Sequence, residues 1–412
     1  MNKHDQIKKD KLIWKFSFYG LLKNLRFFEP YLYIFFLNLN FSLFEIGLLL
    51  SIRQAIVYIT EIPTGVFADN YGKKTSLLIC FISYLISFIF FFFTKSFIIA
   101  ATGMLFFALG ESFRSGTHKS IIYSYLEEKG WFDLKTYVYG RTRSFSLIGT
   151  SLSGFLSIIL VLSIPNLKWI FLITMIPYFL DFLLIYSYPN YLNEKSETSF
   201  NFKKFFSLLI SNLKKLFSKQ TVRKYLLNSS IYDSIFKSSK DYIQPIIKNI
   251  AAASGIYIIG SYTQEENMKI LLGLIYGFFY IFNAIASRNS YLFQKKFKSS
   301  KFLNISFDLM GLIFILLAVV TKFNIIPLII FLFFIFALKR NIRKPMVVDV
   351  FGNITDKKQR ATIHSIDSQL RSIFMIFIAP LLGFFADRLS ISTAFLIFGL
   401  IIFIINIFLR KD

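Results

Sequence analysis

Gly65-Val-Phe-Ala-Asp69-Asn-Tyr-Gly72-Lys73-Lys74 stands between two long apolar runs, 43–66 and 75–94. So few polar residues leave room only for a tight turn, and Gly72 supplies the backbone freedom that such a turn needs. Gly65 would let two helices approach closely. Asp69 would be stabilised near the positive N-terminal end of a facing helix, and Lys73 and Lys74 would pin the loop to one membrane face. Taken alone, Gly-Lys-Lys is an ordinary basic turn between two spans. The rest of the chain decides what the turn belongs to.

Apolar runs of about twenty residues, each long enough to cross ~30 Å of hydrocarbon, recur on both sides of it. They fall near 16–37, 43–66, 75–94, 97–118, 144–163, 168–188, 225–247, 268–287, 302–321, 324–343, 362–386 and 391–409. Hydrophobic residues make up 55% of 412, 53 of them Phe, and mean hydropathy is +0.57. Water could not solvate that much apolar surface, whereas a bilayer does. The first run carries Lys23, Arg26 and Glu29. A cleaved signal peptide would have an uncharged apolar stretch there, so it reads as a mature helix.

The net charge of +24 invites a nucleic-acid reading, but the basic residues lie in short clusters between the runs. With the N-terminus cytoplasmic, 34 of the 47 Lys and Arg fall on the inner side and 6 on the outer, the rest lying within spans. That bias sets the orientation, with N-terminus, C-terminus and central loop on the cytoplasmic side of the membrane. Cys80 is the only cysteine, and His4, His118 and His364 are scattered. No disulfide, thiolate cage or zinc-ligand spacing results, and no metal or other cofactor is expected.

The polar stretch 190–224 follows the sixth run, with Lys203, Lys204, Lys214 and Lys215 at helical spacing among Phe and Leu. It reads as a cytoplasmic linker, amphipathic and lying on the inner leaflet. It divides the chain into a first bundle, 1–189, and a second, 225–412. Faint repeats support a six-plus-six plan. Phe107-Ala108-Leu109 before Arg114 matches Phe336-Ala337-Leu338 before Arg343; Pro30 matches Pro245, and Arg141 matches Arg360.

The turn at 65–74, in this loop of a twelve-span chain, resembles the G-x-x-x-D-x-x-G-[RK]-[RK] signature of the major facilitator superfamily. Glu61-Ile-Pro63-Thr-Gly65 and Pro380-x-x-Gly383-x-x-x-Asp387 look like a bacterial branch of it. The resemblance implies an all-α membrane protein, two six-helix bundles around a central cavity, and makes the helix facing Asp69 the eleventh. It also implies that spans one, four, seven and ten line the cavity. The chain departs from the family elsewhere. Ser287–Lys301 lacks the Asp and glycines of the signature, Phe106 stands where the fourth span would carry an arginine, and Gly149–Gly154 lacks the Gly-Pro pair of drug/proton antiporters.

Ionisable groups at membrane depth are costly and mark function by default. Most of them here fall on the four cavity-lining spans. Glu29, Glu111 and Asp233 are the candidates for carrying a proton, and Arg26, Tyr33, Arg114, Lys237, Asp241 and Arg343 for binding solute. In the plainer reading Glu111–Arg114, Asp233–Lys237 and Lys237–Asp241 merely neutralise one another. Arg53, Glu61 and Asp367 read as gate contacts, and Asp181 and Asp308 are unexplained. No G-x-x-x-x-G-K-[ST] phosphate loop is present, so energy must come from a gradient. The expected function is a secondary active transporter, a monomer in contact with membrane lipids, moving a small organic solute by alternating access. Proton coupling and efflux are the preferred mode, and import or exchange of an anionic solute is the alternative. A membrane enzyme of lipid or polysaccharide chemistry is the rival from another class. The short outer loops, with no His/Asp/Ser constellation, argue against it.

Overall fold

Helix ends follow hydrogen bonding rather than hydropathy, and the computed structural model shows the consequence over residues 3–193, 207, 211, 219–296, 298–356 and 359–410. Among these described residues every regular element is a helix. Eight are long and apolar enough to cross a bilayer: Leu43–Tyr71, Lys73–Phe92, Phe97–Glu128, Phe132–Ser163, Trp169–Tyr186, Ser299–Lys322, Thr362–Arg388 and Ile391–Arg410. Several run past the apolar stretch into polar sequence. The second ends at Tyr71 rather than 66, and the fifth begins at Lys135 rather than 144. Hydropathy marks the hydrocarbon layer, and a helix can continue beyond it with basic residues in water. On their outer faces large apolar side chains stand open, Ile98 at 76% and Phe408 at 68% exposure, which lipid solvates and water would not.

The other four expected spans fall differently. Stretch 268–287 lies within helix Gln264–Lys296, and 324–343 within Ile326–Ile354, where Lys339, Arg340 and Arg343 interrupt the apolar run. Stretches 16–37 and 225–247 are broken. In the first, helix Lys11–Leu22 ends, a 3-10 turn forms over Glu29–Tyr31, and helix Leu32–Asn38 resumes. Pro30 has no N–H to continue the ladder. The freed groups find partners: Asn24 Nδ2 donates to Gly20 O (2.5 Å), and Tyr178 Oη to Lys23 O (3.0 Å). Irregular backbone at this depth is tolerated only where such partners exist. In the seventh, helix Gln220–Ser239 gives way to a 3-10 turn, Lys240–Tyr242, and then to helix Ile243–Ser254 containing Pro245. The fourth also breaks, between Phe97–Arg114 and Thr117–Glu128, at Gly116 with φ +74°.

Two compact units result. One holds the chain up to Phe35, the stretch from Ile56 to the end of the sixth span, and Lys269–Tyr280; the other holds Phe36–Ala55, the chain from 219 to Met268, and Ile281 onward. The amphipathic helix expected around Lys203, Lys204, Lys214 and Lys215 lies outside the described residues.

Candidate functional site

The turn at 65–74 keeps its tight geometry but not every expected contact. Gly72 has φ +99°, a region L side chains rarely adopt, and a Cβ there would strike the Asn193 side chain. Asn193 in turn accepts from Thr75 N (3.1 Å). Lys74 is buried rather than lipid-facing, donating Nζ to Tyr188 O (2.6 Å) and to Asn190 Oδ1 (3.0 Å), while Lys73 reaches Ser124 Oγ (3.2 Å). The two lysines thus fasten the turn to the ends of the sixth and fourth spans. Gly65 differs from expectation: a Cβ there would meet nothing within 4 Å, so no helix among the described residues packs on it. Asp69 is exposed and makes no hydrogen bond or ion pair with a described residue.

A matching segment in the last turns of helix Arg360–Arg388 is engaged. Gly383-Phe-Phe-Ala-Asp387 shares Gly-x-Phe-Ala-Asp with Gly65-Val-Phe-Ala-Asp69. Asp387 accepts from Leu43 N (3.0 Å) and Phe44 N (2.7 Å), the first amides of helix Leu43–Tyr71. Those amides have no partner within their own helix, and a carboxylate suits the positive end of its dipole. Ser42 and Glu45 complete the cap reciprocally, Ser42 N to Glu45 Oε2 (2.8 Å) and Glu45 N to Ser42 Oγ (3.1 Å). Close approach needs glycine on both sides. A Cβ at Gly47 would lie 2.5 Å from Ala379 O, and one at Gly383 2.6 Å from Leu43 C.

Charged residues in the first unit gather where spans one and four break. Arg26 leaves the interrupted first span, donating Nε to Tyr178 Oη (3.1 Å), meeting Glu111 Oε1 at 3.9 Å and lying over the Phe107 ring. Arg114 donates to Tyr84 Oη (3.3 Å). Glu111 is thus matched with Arg26 of the first span rather than with Arg114 of its own. Asp181, unexplained by sequence, is fully buried with neither carboxylate oxygen hydrogen-bonded among the described residues, and Lys23 is the cation that acts on it. Tyr33 is buried at 2% exposure, and Glu29 opens the 3-10 turn. Glu61, expected at a gate, accepts from Ser115 Oγ (3.0 Å).

In the second unit Asp233 is held by two arginines, Arg340 Nε at 3.4 Å and Arg371 Nε at 3.3 Å, and Arg371 also pairs with Asp367. Lys237, the expected partner of both Asp233 and Asp241, makes no hydrogen bond or ion pair with a described residue, and Asp241 pairs with Lys240 (2.8 Å) instead. Spacing along one helix could not reveal these partners, because they come from other helices. Arg343 corrects the expectation of a solute contact. At 2% exposure it donates to Leu303 O (3.2 Å), Ser306 Oγ (2.7 Å), Asn228 O (3.0 Å) and Asn228 Oδ1, and stacks on the Tyr232 ring. It ties three helices together through neutral acceptors.

This arrangement of helices has known counterparts. A family profile described as the Major Facilitator Superfamily matches residues 24–338. The uncharacterized MFS-type transporter YxaM of Bacillus subtilis (strain 168) is 22% identical over 386 residues, covering 92% of this chain and 89% of its own. A solved point mutant of the nucleoside transporter NupG superposes with TM-score 0.80 at 13% identity, over 97% of this chain and 100% of that one. A peptide transporter POT in complex with sulfate gives 0.69 at 13%, over 96% and 93%. At such identities the structures share the fold alone. The chain is an integral membrane transporter, not an enzyme. Three quarters of its length falls under a single profile, and the chain belongs to the Major Facilitator Superfamily.

Proposed function

We propose that the protein is a secondary active transporter of twelve spans in two bundles of six, 1–189 and 225–412, with 190–224 as a cytoplasmic linker. It moves a small organic solute by alternating access, coupled to protons. The observation that carries this reading is the unlike state of its two Gly-x-Phe-Ala-Asp segments. Asp387 holds two backbone amides, whereas Asp69 holds none among the described residues. Two such segments with one engaged fit a carrier whose ends close in alternation, each closed state being stabilised by its own carboxylate.

Glu111 is the coupling carboxylate in this reading, in preference to Asp233. Protonating Asp233 would strand Arg340 and leave Arg371 to Asp367 alone, both arginines lying within 3.4 Å of Asp233, a costly step at membrane depth. Glu111 meets Arg26 at the longer distance of 3.9 Å, so protonating it loosens Arg26. Arg26 sits in a broken stretch of helix, where backbone can rearrange. One proton is thereby linked to one rearranged cation.

The test is flux in vesicles under an imposed pH gradient, in both orientations so that export and import are separated, with nucleosides and short peptides among the solutes. Glu111→Gln is expected to lose gradient-driven accumulation while keeping solute binding and exchange. Accumulation with unchanged pH dependence would assign Glu111 a structural role.

A further inference from the structure

We propose that the first unit contains an oxyanion site within its own bundle, and that the solute class is a small anion bearing a carboxylate or phosphate. The solute clause rests on the transport reading above; the binding site does not. A cavity of about 230 Å³ lies among the first, fourth and fifth spans. Lys23, Arg114, Lys119 and Arg143 line it, and no Asp or Glu does. Lys23 has the buried Asp181 acting on it, but Arg114, Lys119 and Arg143 gather at the same void with no carboxylate in its lining, and cations so gathered favour an anion.

Three further observations point the same way. The cavity takes in Gly116, His118 and Lys119 at the start of helix Thr117–Glu128, whose N-terminus has no side-chain cap. Its free amides and dipole favour an oxyanion. Donors are also available. Arg114 commits Nε to Tyr84, and the Arg143 guanidinium has no hydrogen bond or ion pair among the described residues. Tyr19, in the wall at 1% exposure, has a hydroxyl without a hydrogen-bond partner. The wall itself is rigid: Tyr19 stacks on His118 (3.6 Å, 12°), His118 Nε2 meets Tyr188 Oη at 3.2 Å, and Lys23 lies 5.0 Å from the centre of the Tyr19 ring. The volume of about 230 Å³ admits phosphate or a short carboxylic acid together with several waters.

The same chemistry is offered by a free anion and by the phosphate of an anionic lipid. Binding of phosphate and of citrate to the full-length protein is measured by calorimetry at constant ionic strength, in nanodiscs of phosphatidylcholine alone and again with phosphatidylglycerol. Lys119→Gln with Arg143→Gln, both exposed and therefore compatible with folding, is expected to weaken affinity about tenfold or more, the loss of charge-assisted hydrogen bonds. Lys95→Gln with Lys168→Gln, both exposed and at the opposite ends of the fourth and fifth spans from Lys119 and Arg143, serves as the control for overall charge. Binding that is absent in phosphatidylcholine, or equal in the two double variants, overturns the site. Binding in phosphatidylcholine that phosphatidylglycerol abolishes keeps the site and makes lipid phosphate its occupant, overturning the solute clause. Anion binding without anion flux, in protein that transports another solute, overturns that clause alone. Absence of any flux with binding intact overturns the transport reading and leaves the site.

Discussion

Asp387→Ala removes the carboxylate that holds Leu43 N and Phe44 N at 3.0 and 2.7 Å. Losing a helix N-cap costs about 0.5–2 kcal/mol, and losing a negative charge at the positive helix end costs about 0.3–1 kcal/mol more. Phe44 is 37% exposed, so water recovers part of the loss, and Ser42 still serves Glu45 N. A net cost of about 1–2 kcal/mol to the engaged conformation follows, a shift of roughly five- to thirtyfold in a two-state equilibrium at about 1.4 kcal/mol per tenfold. Spin labels on cysteines replacing Lys95 and Leu389, in a Cys80→Ser background, read that equilibrium as two distance populations. Asp387→Ala should enrich the population in which the segment has let go. Asp69→Ala should do the opposite, since Asp69 makes no hydrogen bond or ion pair among the described residues, and its loss weighs on the other conformation. If both variants move the populations in the same direction, or neither moves them while helicity is retained, the mechanism of alternating segments is refuted.

Arg343→Met should lower stability by about 3 kcal/mol or more, since it strands several buried acceptors at once. A thermal melt in detergent measures this, and solute affinity in the surviving protein should be unchanged. Gly72→Leu meets both the φ of +99° and the Asn193 side chain. Backbone strain alone costs about 1–2 kcal/mol, so transport in vesicles should fall sharply at normal expression. A cysteine replacing Ser211, in a Cys80→Ser background, should resist an impermeant thiol reagent applied to intact cells. Labelling there would reverse the proposed orientation.

Hydropathy read the layer well because burial in lipid needs about twenty apolar residues whatever their order. It was blind to the breaks in spans one and seven for the same reason: averaging over a window hides a few polar residues around Pro30 or Lys240. The break in span four was more legible, since Ser115-Gly116 stands in front of His118, and glycine at φ +74° is what a helix restart there requires. Ion pairs were the least legible feature. Spacing of three or four residues finds neighbours on one helix, and so proposed Glu111–Arg114 and Asp233–Lys237. The structure instead brings Arg26 to Glu111 and two arginines from later helices to Asp233. Only packing in three dimensions decides between such partners.

The faint internal repeat carries a consequence for where the chemistry sits. Arg114 and Arg343 occupy matching places, each following Phe-Ala-Leu in its span, yet their surroundings have diverged. Arg114 ends a helix just before Gly116, where the backbone breaks and a cavity opens. Arg343 lies inside the unbroken helix Ile326–Ile354, two residues before Pro345, and spends its donors on Leu303, Ser306 and Asn228. A guanidinium with donors left over can bind and release an anion, whereas one that is fully satisfied can only hold helices together. The nearby Asp233 is locked in the same manner by two arginines. The two units therefore differ in what their charges can do: the first keeps Arg114 beside a cavity lined by cations, and the second commits Arg343 and Asp233 to contacts between helices.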